Sequence, residues 1–180
     1  VDAVARTAEG LNARMISITK GSCPFGDVRN SELNPAAACV TWNAAVLDLL
    51  IVDPPDLVIT TATRTHKGVE EIPEWKTTYL SRLSDAGIEV IGIRDNPRMG
   101  RGVLTCLDTS DAAECTVPRS GLLSDHLEVP ALEHFTLVDL TDLICDASVC
   151  SPVTDGVLVT WDGSHLTRTW TLLNSSKLDQ

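Results

Sequence analysis

The fold of this 180-residue chain is decided by the stretch DLVITTAT at residues 56–63. Its apolar centre is short and continuous, which is typical of a strand that is buried on both faces of a parallel sheet. A second run of this kind, at residues 88–93, follows a predicted helix that begins near Pro73 and is capped by Gly87. Two buried strands joined through a helix predict a parallel crossover.

The remaining segments continue the alternation of helices and strands. Apolar residues at helical spacing predict helices at residues 1–11, 35–52 and 165–173, and β-branched or apolar runs predict strands at residues 14–19, 135–140 and 157–160. This order favours an α/β fold, a three-layer α/β/α sandwich around a mostly parallel sheet with about four strands from this chain.

The start of the sequence departs from the usual order of such a fold. A doubly wound domain normally opens with a central strand, whereas this sequence opens within a predicted helix. Either the fold is unusual, or the first strand and the turn after it are absent from this chain. Residues 1–180 are predicted to form a single domain that is incomplete at its N-terminus.

Composition and charge exclude several functional classes. The chain is 43% hydrophobic and 22% charged, which is typical of a globular domain, and it has no apolar run long enough to cross a bilayer. Its net charge of −11 argues against nucleic acid or an anionic membrane surface as a partner, since both require clustered Lys and Arg. A neutral, sugar-like substrate is compatible with this charge, and no cofactor is expected.

The six cysteines fall into three local pairs. Zinc sites favour close Cys-x-x-Cys or Cys/His clusters, which these spacings do not supply, so no metal site is predicted. Six cysteines allow fifteen pairings, and closure of local, turn-rich loops favours the sequential one. Such bonds persist in an oxidising compartment, which places the chain outside the cytoplasm. The predicted disulfides are Cys23 with Cys39, Cys106 with Cys115, and Cys145 with Cys150.

The stretch TWDGSHLT at residues 160–167 carries the strongest chemical signal. It lies between a predicted strand and a predicted helix, where catalytic loops are common. The carboxylate of Asp162 can accept the Nδ1 proton of His165, which leaves Nε2 free to take a proton from a hydroxyl nucleophile. The bare pattern would equally arise from an Asp-Gly turn followed by an incidental histidine.

Six ordered blocks of sequence resemble a known family. The chain is similar to the C-terminal SGNH-hydrolase-like domain of the acyltransferase family three membrane proteins, and the similarity spans nearly its whole length. The blocks are ITKGSCP (18–24), CVTWN (39–43), PDLVI (55–59), RDNPRM (94–99), CDASVC (145–150) and WDGSHLT (161–167).

This resemblance implies an SGNH-hydrolase/flavodoxin-like fold and an extracytoplasmic domain that follows a multi-pass membrane acyltransferase domain. It further implies O-acyl transfer, with acetyl as the expected group, to or from cell-envelope carbohydrate. The partners would be that carbohydrate and an acyl donor. A noncatalytic module that presents glycan or another acceptor to the adjoining membrane enzyme is the alternative.

The resemblance also assigns residues. His165 resembles the family's catalytic base and Asp162 its orienting acid. The family's nucleophile is a serine in a Gly-Asp-Ser-His motif, which this sequence does not contain, so we expect the serine upstream of residue 1 and the chain alone to be inactive. The superfamily's oxyanion-stabilising Asn has no counterpart in the turn TTATR at residues 60–64.

Three further residues are candidates for substrate binding. Arg64 and His66 follow a predicted strand at its carboxyl end, where open α/β sheets bind ligands. The competing interpretation is that both residues lie in a solvated loop that binds nothing. Trp161 adjoins the Asp-His pair and could form the floor of an acyl or sugar pocket. Packing in the core is the competing interpretation for this tryptophan.

Overall fold

A computed structural model describes residues 2–66 and 69–179 of the chain. The described residues form two compact units. The first, here called the sheet unit, comprises residues 18–66, 69–95 and 124–140. The second, the loop-rich unit, comprises residues 2–17, 96–123 and 141–179. Each unit is described by itself.

The chain contains both α-helices and β-strands, and several strands follow one another without an intervening α-helix. The α-helices are α1 (Asp2–Gly10), α2 (Ala37–Val52), α3 (Glu74–Asp85), α4 (Gly102–Leu107) and α5 (Arg168–Leu173). The strands are β1 (Leu57–Thr61), β2 (Arg64–His66), β3 (Val69–Glu71), β4 (Glu89–Ile93), β5 (Val117–Pro118), β6 (Phe135–Val138), β7 (Val149–Cys150), β8 (Val153–Thr154) and β9 (Val157–Leu158). Short 3-10 helices lie at Val28–Asn30, Arg119–Gly121, Thr141–Leu143 and Ser175–Asp179.

The sheet unit is built on a parallel sheet in the order β1-β4-β6. Ile91 of β4 lies opposite Ile59 of β1 and Thr136 of β6. Gly92 is required at its position, because a side chain there would clash with Phe135 and Ala62. The predicted α/β class with a parallel sheet is therefore confirmed. The described residues contribute three strands to this sheet, one fewer than expected.

Helices α2 and α3 cover one face of this sheet. Their apolar side chains pack with residues of β1, β4 and β6 in a cluster centred on Leu47, Tyr79, Leu80, Leu83, Ile88 and Val90. Helix α3 ends as the sequence predicts. Gly87 has a positive φ of 74°, and the N–H groups of Gly87 and Ile88 donate to the carbonyls of Ser84 and Leu83.

The predicted strand at residues 14–19 is wrong. These residues are extended but assigned to no strand, and within the described chain no ladder pairs with them. Met15, Ile16 and Ile18 are exposed. The apolar, β-branched composition predicted a strand, but a strand also requires a neighbour for its backbone N–H and C=O groups.

The loop-rich unit has its own apolar core. Helix α1, confirmed at the predicted position, contacts α5 and the last 3-10 helix. Strands β8 and β9 form a hairpin, so the predicted strand at residues 157–160 is realised as a hairpin arm. Helix α5 begins at Arg168, later than predicted, because Thr167 is its N-cap and accepts the backbone N–H of Trp170. The core contains Met99, Val103, Leu123, Ile144, Cys145, Cys150, Val159 and Trp170.

The three predicted disulfides are confirmed. Cys23–Cys39 lies in the sheet unit, whereas Cys106–Cys115 and Cys145–Cys150 lie in the loop-rich unit. The Cys23–Cys39 bridge packs with Val28 and Trp75 in a small second cluster of the sheet unit. None of the described helices is long and apolar enough to cross a membrane.

Candidate active site at Asp162 and His165

A tight turn between β9 and α5 carries Asp162 and His165. Thr160 closes its base, because the Thr160 hydroxyl donates to the carbonyl of His165 at 2.9 Å and accepts the N–H of Gly163 at 2.9 Å. Oδ1 of Asp162 accepts the backbone N–H groups of Ser164 at 2.9 Å and His165 at 2.7 Å. The short side chain of Asp162 therefore organises the backbone that presents the imidazole.

Glycine is required at the centre of this turn. Gly163 has a φ of 84°, and its carbonyl accepts the backbone N–H of Gly100 at 3.0 Å. A Cβ on Gly163 would clash with the carbonyl of Gly100. Asn96 adds a second support, since its Nδ2 donates to the carbonyl of Ser164 at 2.5 Å. The turn is thus held against residues 96–100 of the same unit.

The predicted Asp-His pair is formed. Oδ2 of Asp162 lies 2.7 Å from Nδ1 of His165. The backbone N–H and the imidazole of His165 lower the pKa of Asp162 to about 2, so the carboxylate is ionised at neutral pH and accepts the Nδ1 proton. The His165 side chain is 68% exposed, and no residue in the described part of the chain bonds to its Nε2. This nitrogen is available as a proton acceptor.

Trp161 lies beside the imidazole and outside the core. Its ring stacks on that of His165 with centroids 5.4 Å apart and an interplanar angle of 21°. Trp161 is 59% exposed, so the interpretation of this residue as core is wrong. An exposed indole next to a candidate base offers an apolar wall to a bound group.

The described residues supply neither a nucleophile nor a metal site around this pair. Ser164 donates its backbone N–H to Asp162, and none of the described serines is bonded to the imidazole. No cluster of three or more His, Cys, Asp or Glu that could hold a metal ion occurs among the described residues. The chemistry available here is that of a base and its orienting acid.

The other two candidate residues lie in the sheet unit. Arg64 and His66 belong to β2, which pairs with β3 in a hairpin after the end of β1. Arg64 lines a cavity next to the Cys23–Cys39 bridge. The backbone of His66 pairs with Val69, and its side chain lies outside the described part of the structure.

Two buried charged groups at the carboxyl ends of the strands were not identified from the sequence. Arg94, directly after β4, donates to both carboxylate oxygens of Glu70 at 3.0 and 2.6 Å and to Asp139, after β6, at 2.7 Å. Lys76 of α3 donates to the backbone and hydroxyl oxygens of Thr61, and burial lowers its pKa to about 8. A charged residue immediately after a buried strand was the available signal for Arg94.

Comparison with known proteins agrees with this architecture. The profile of the SGNH domain (fused to AT3 domains) matches residues 1–177, whereas no curated protein sequence matches the chain. The fold is similar to that of the periplasmic domain of the lipopolysaccharide acetyltransferase from Salmonella ser. Paratyphi A, with a TM-score of 0.56 and 15% identity. That similarity covers 99% of this chain and 78% of the Salmonella chain. The resemblance in the sequence blocks is therefore confirmed, and the chain belongs to the family of SGNH domains that are fused to AT3 domains.

Proposed function

We propose that this chain is the extracytoplasmic SGNH domain of an O-acyltransferase that acts on cell-envelope carbohydrate, with acetyl as the transferred group. Catalysis would use a Ser-His-Asp triad in which His165 and Asp162 belong to this chain and the serine to a segment outside these 180 residues. The observation that carries the proposal is the 2.7 Å contact between Asp162 and Nδ1 of His165, which leaves Nε2 open. This chain and that segment would together form one SGNH domain.

The mechanism follows from the protonation state of the pair. Nε2 of His165 removes the serine proton while the serine oxygen attacks the acyl carbonyl, and Asp162 stabilises the imidazolium through Nδ1–H. The imidazolium then returns the proton to the departing alcohol, leaving an acyl-serine. Attack by a sugar hydroxyl, deprotonated by the same nitrogen, transfers the acyl group and restores the serine.

Three observations support the location and the partners. Three disulfides favour an oxidising compartment. The family is defined by fusion to AT3 domains, which supports a covalent link to a membrane acyltransferase domain that presents the acyl donor. The Salmonella neighbour is described as a periplasmic domain of a lipopolysaccharide acetyltransferase, which supports envelope carbohydrate as the acceptor.

A noncatalytic glycan-binding module is the second candidate. The exposed indole of Trp161 favours it. Under this function the Asp162–His165 pair would only shape the turn, and the protein would present the glycan to the AT3 domain.

Hydrolysis of p-nitrophenyl acetate separates the two functions. We expect the protein with its upstream segment to be active, and His165→Ala to reduce turnover by about 10²–10⁴-fold, the usual contribution of a general base. Asp162→Asn should also be severely impaired, because the amide favours the wrong imidazole tautomer. His126→Ala, which removes an exposed histidine, is the matched control. Unchanged turnover in His165→Ala, or full turnover in the 180-residue chain alone, would contradict the triad.

A further inference from the structure

The sheet unit contains a cavity next to the Cys23–Cys39 disulfide. Its volume is about 490 Å³, within the range of small-molecule binding sites. It is lined by Ser22, Cys23, Pro24, Leu33, Pro35 and Arg64. These residues come from three separate segments of one unit, so the cavity is a product of the fold and does not depend on a single loop.

One wall of this cavity is held in place by a disulfide and a hydrogen bond. The disulfide ties Cys23 to the first turn of α2, and Asn43 of α2 donates to the carbonyl of Pro24 at 3.0 Å. Cys23 and Cys39 also pack with Val28 and Trp75, which are buried. A preformed cavity loses little conformational entropy when it is filled, which favours binding of a small, weakly interacting ligand.

Arg64 brings a charged hydrogen-bond donor to the lining of the cavity. Its Nε is buried and has no hydrogen-bond partner within the described chain. The nearest acidic oxygen, Oε1 of Glu32, is 3.7 Å away and therefore beyond hydrogen-bond distance. The backbone of Arg64 is fixed opposite Glu71 in the β2–β3 hairpin. The Arg64 side chain as a whole is 34% exposed, so its other guanidinium N–H groups can donate to an oxygen of a bound molecule.

The polar groups around Arg64 define the class of ligand. Of the lining residues, Arg64 is a donor and the hydroxyl of Ser22 can donate or accept; the carboxylate of Glu32, outside the lining, lies 3.7 Å from Arg64 Nε. Leu33, together with the two prolines of the lining, adds apolar surface. A sugar presents the complementary set, since its hydroxyls both donate and accept and its C–H groups pack on apolar walls.

Charge favours a neutral sugar over an acidic one. Glu32 lies close enough to Arg64 to balance its charge, and the chain as a whole carries −11. A carboxylate or phosphate in the cavity would meet Glu32 as well as Arg64. We propose that this cavity is a binding subsite for a neutral pyranose unit of the acceptor glycan, with Arg64 as its specificity-determining donor; this inference rests on the proposed function.

Residue-resolved binding to the 180-residue chain tests the proposal. The probes are the methyl glycosides of glucose, galactose, mannose and rhamnose, with methyl glucuronoside as the acidic comparison, added during ¹H–¹⁵N NMR titrations. We expect at least one neutral glycoside to shift the amide signals of Ser22, Leu33 and Arg64. Arg64→Gln should weaken that binding at least about tenfold, the effect of losing hydrogen bonds to a charged group. Arg82→Gln, at an exposed arginine of α3, is the matched control and should bind normally.

A charge variant gives a second, independent measurement. In Glu32→Gln, binding of the neutral glycoside should persist within a few-fold, while methyl glucuronoside should now bind, because the competing carboxylate is gone. The proposal is overturned if no neutral glycoside shifts the cavity signals, if methyl glucuronoside binds the unaltered chain more tightly, or if Arg64→Gln binds normally while its spectrum remains that of a folded protein.

The same titration in His165→Ala separates this subsite from the proposed catalysis. Binding should be unchanged in that variant, since the cavity residues do not include the Asp-His pair. If the triad mechanism fails its test but the glycoside still binds, only the proposed catalysis is rejected. If esterase activity is found but no glycoside binds, only the proposed subsite is rejected.

Discussion

Replacing Arg94 with methionine should destabilise the sheet unit strongly. The Arg94 and Glu70 side chains are only 7% and 2% exposed, and the guanidinium donates to both carboxylate oxygens of Glu70. Arg94 also donates to the carbonyl of Ser124 at 2.7 Å. The ion pair with Asp139 contributes less, because Asp139 is 41% exposed and can be solvated by water after the substitution.

The magnitude follows from what remains around Glu70. After Arg94→Met the carboxylate keeps the hydroxyl of Thr63 at 3.0 Å and the N–H of Ser124 at 2.9 Å as donors, but it has lost its counter-charge. Breaking a buried ion pair by removing one partner costs about 3–5 kcal/mol. We expect a loss of this size in the free energy of unfolding, measured by urea denaturation followed by circular dichroism.

Two comparisons isolate the buried charge as the cause. Arg29→Met breaks an ion pair of the same forked geometry, at 2.7 and 2.6 Å from Asp27, but Arg29 is 65% exposed, so the loss of stability should be much smaller. Adding Glu70→Gln to Arg94→Met should recover part of the loss, because the uncompensated charge is removed. A cost in Arg94→Met as small as in Arg29→Met, or no recovery in the double variant, would refute this reasoning.

Four further outcomes are expected. Gly163→Ala should lower the free energy of unfolding by more than the roughly 1–2 kcal/mol that a left-handed backbone costs a residue with a side chain, because the new Cβ would meet the carbonyl of Gly100. Gly156→Ala is the control, since Gly156 has a φ of 75° but open space around it, and it should lose only that amount. Thermal denaturation measures both losses. The pKa of Lys76 is lowered from 10.5 to about 8, so between these two pH values the unfolded chain binds more protons than the folded chain. The free energy of unfolding should therefore rise by about 3 kcal/mol as the pH is raised across this range. Urea titrations at each pH should show this rise in the native protein and not in Lys76→Met. The pKa of Asp162 is lowered from 3.8 to about 2, so the stabilising effect of its carboxylate should be complete above pH 3.8 and disappear as the pH falls to about 2. The difference in urea midpoint between the native protein and Asp162→Asn should therefore shrink over the same pH range. Reduction should add six hydrogens to the intact mass, and a mass unchanged by reduction would contradict the three disulfides.

Much of the fold could be predicted because its signals are local. Gly87 ends α3 through its own backbone conformation, and the bonds that cap the helix involve neighbours in sequence. The cysteine pairs close short loops for the same reason. The Asp162–His165 contact spans three residues of one turn, so spacing and residue type were sufficient to predict it.

The features that could not be predicted depend on distant partners. Residues 14–19 have the composition of a strand, yet pairing requires a neighbouring strand that composition does not reveal. Glu70 and Arg94 are 24 residues apart, so the position of Arg94 directly after a buried strand could not reveal its ion pair with Glu70. The exposure of Trp161 could not be predicted either, because a tryptophan beside a β-branched run can lie in the core or on the surface.

The three disulfides have a consequence for biogenesis. In each bond the second cysteine is the next one along the chain, at separations of 16, 9 and 5 residues. Among these 180 residues, entry into an oxidising compartment from the N-terminal side therefore exposes each correct partner before any incorrect one. Loops of this length close in roughly 10–100 ns, so closure itself does not delay pairing, whereas synthesis adds about 5–20 residues per second. Where a thiol oxidase acts as fast as each pair is exposed, the order of synthesis favours the native pairing.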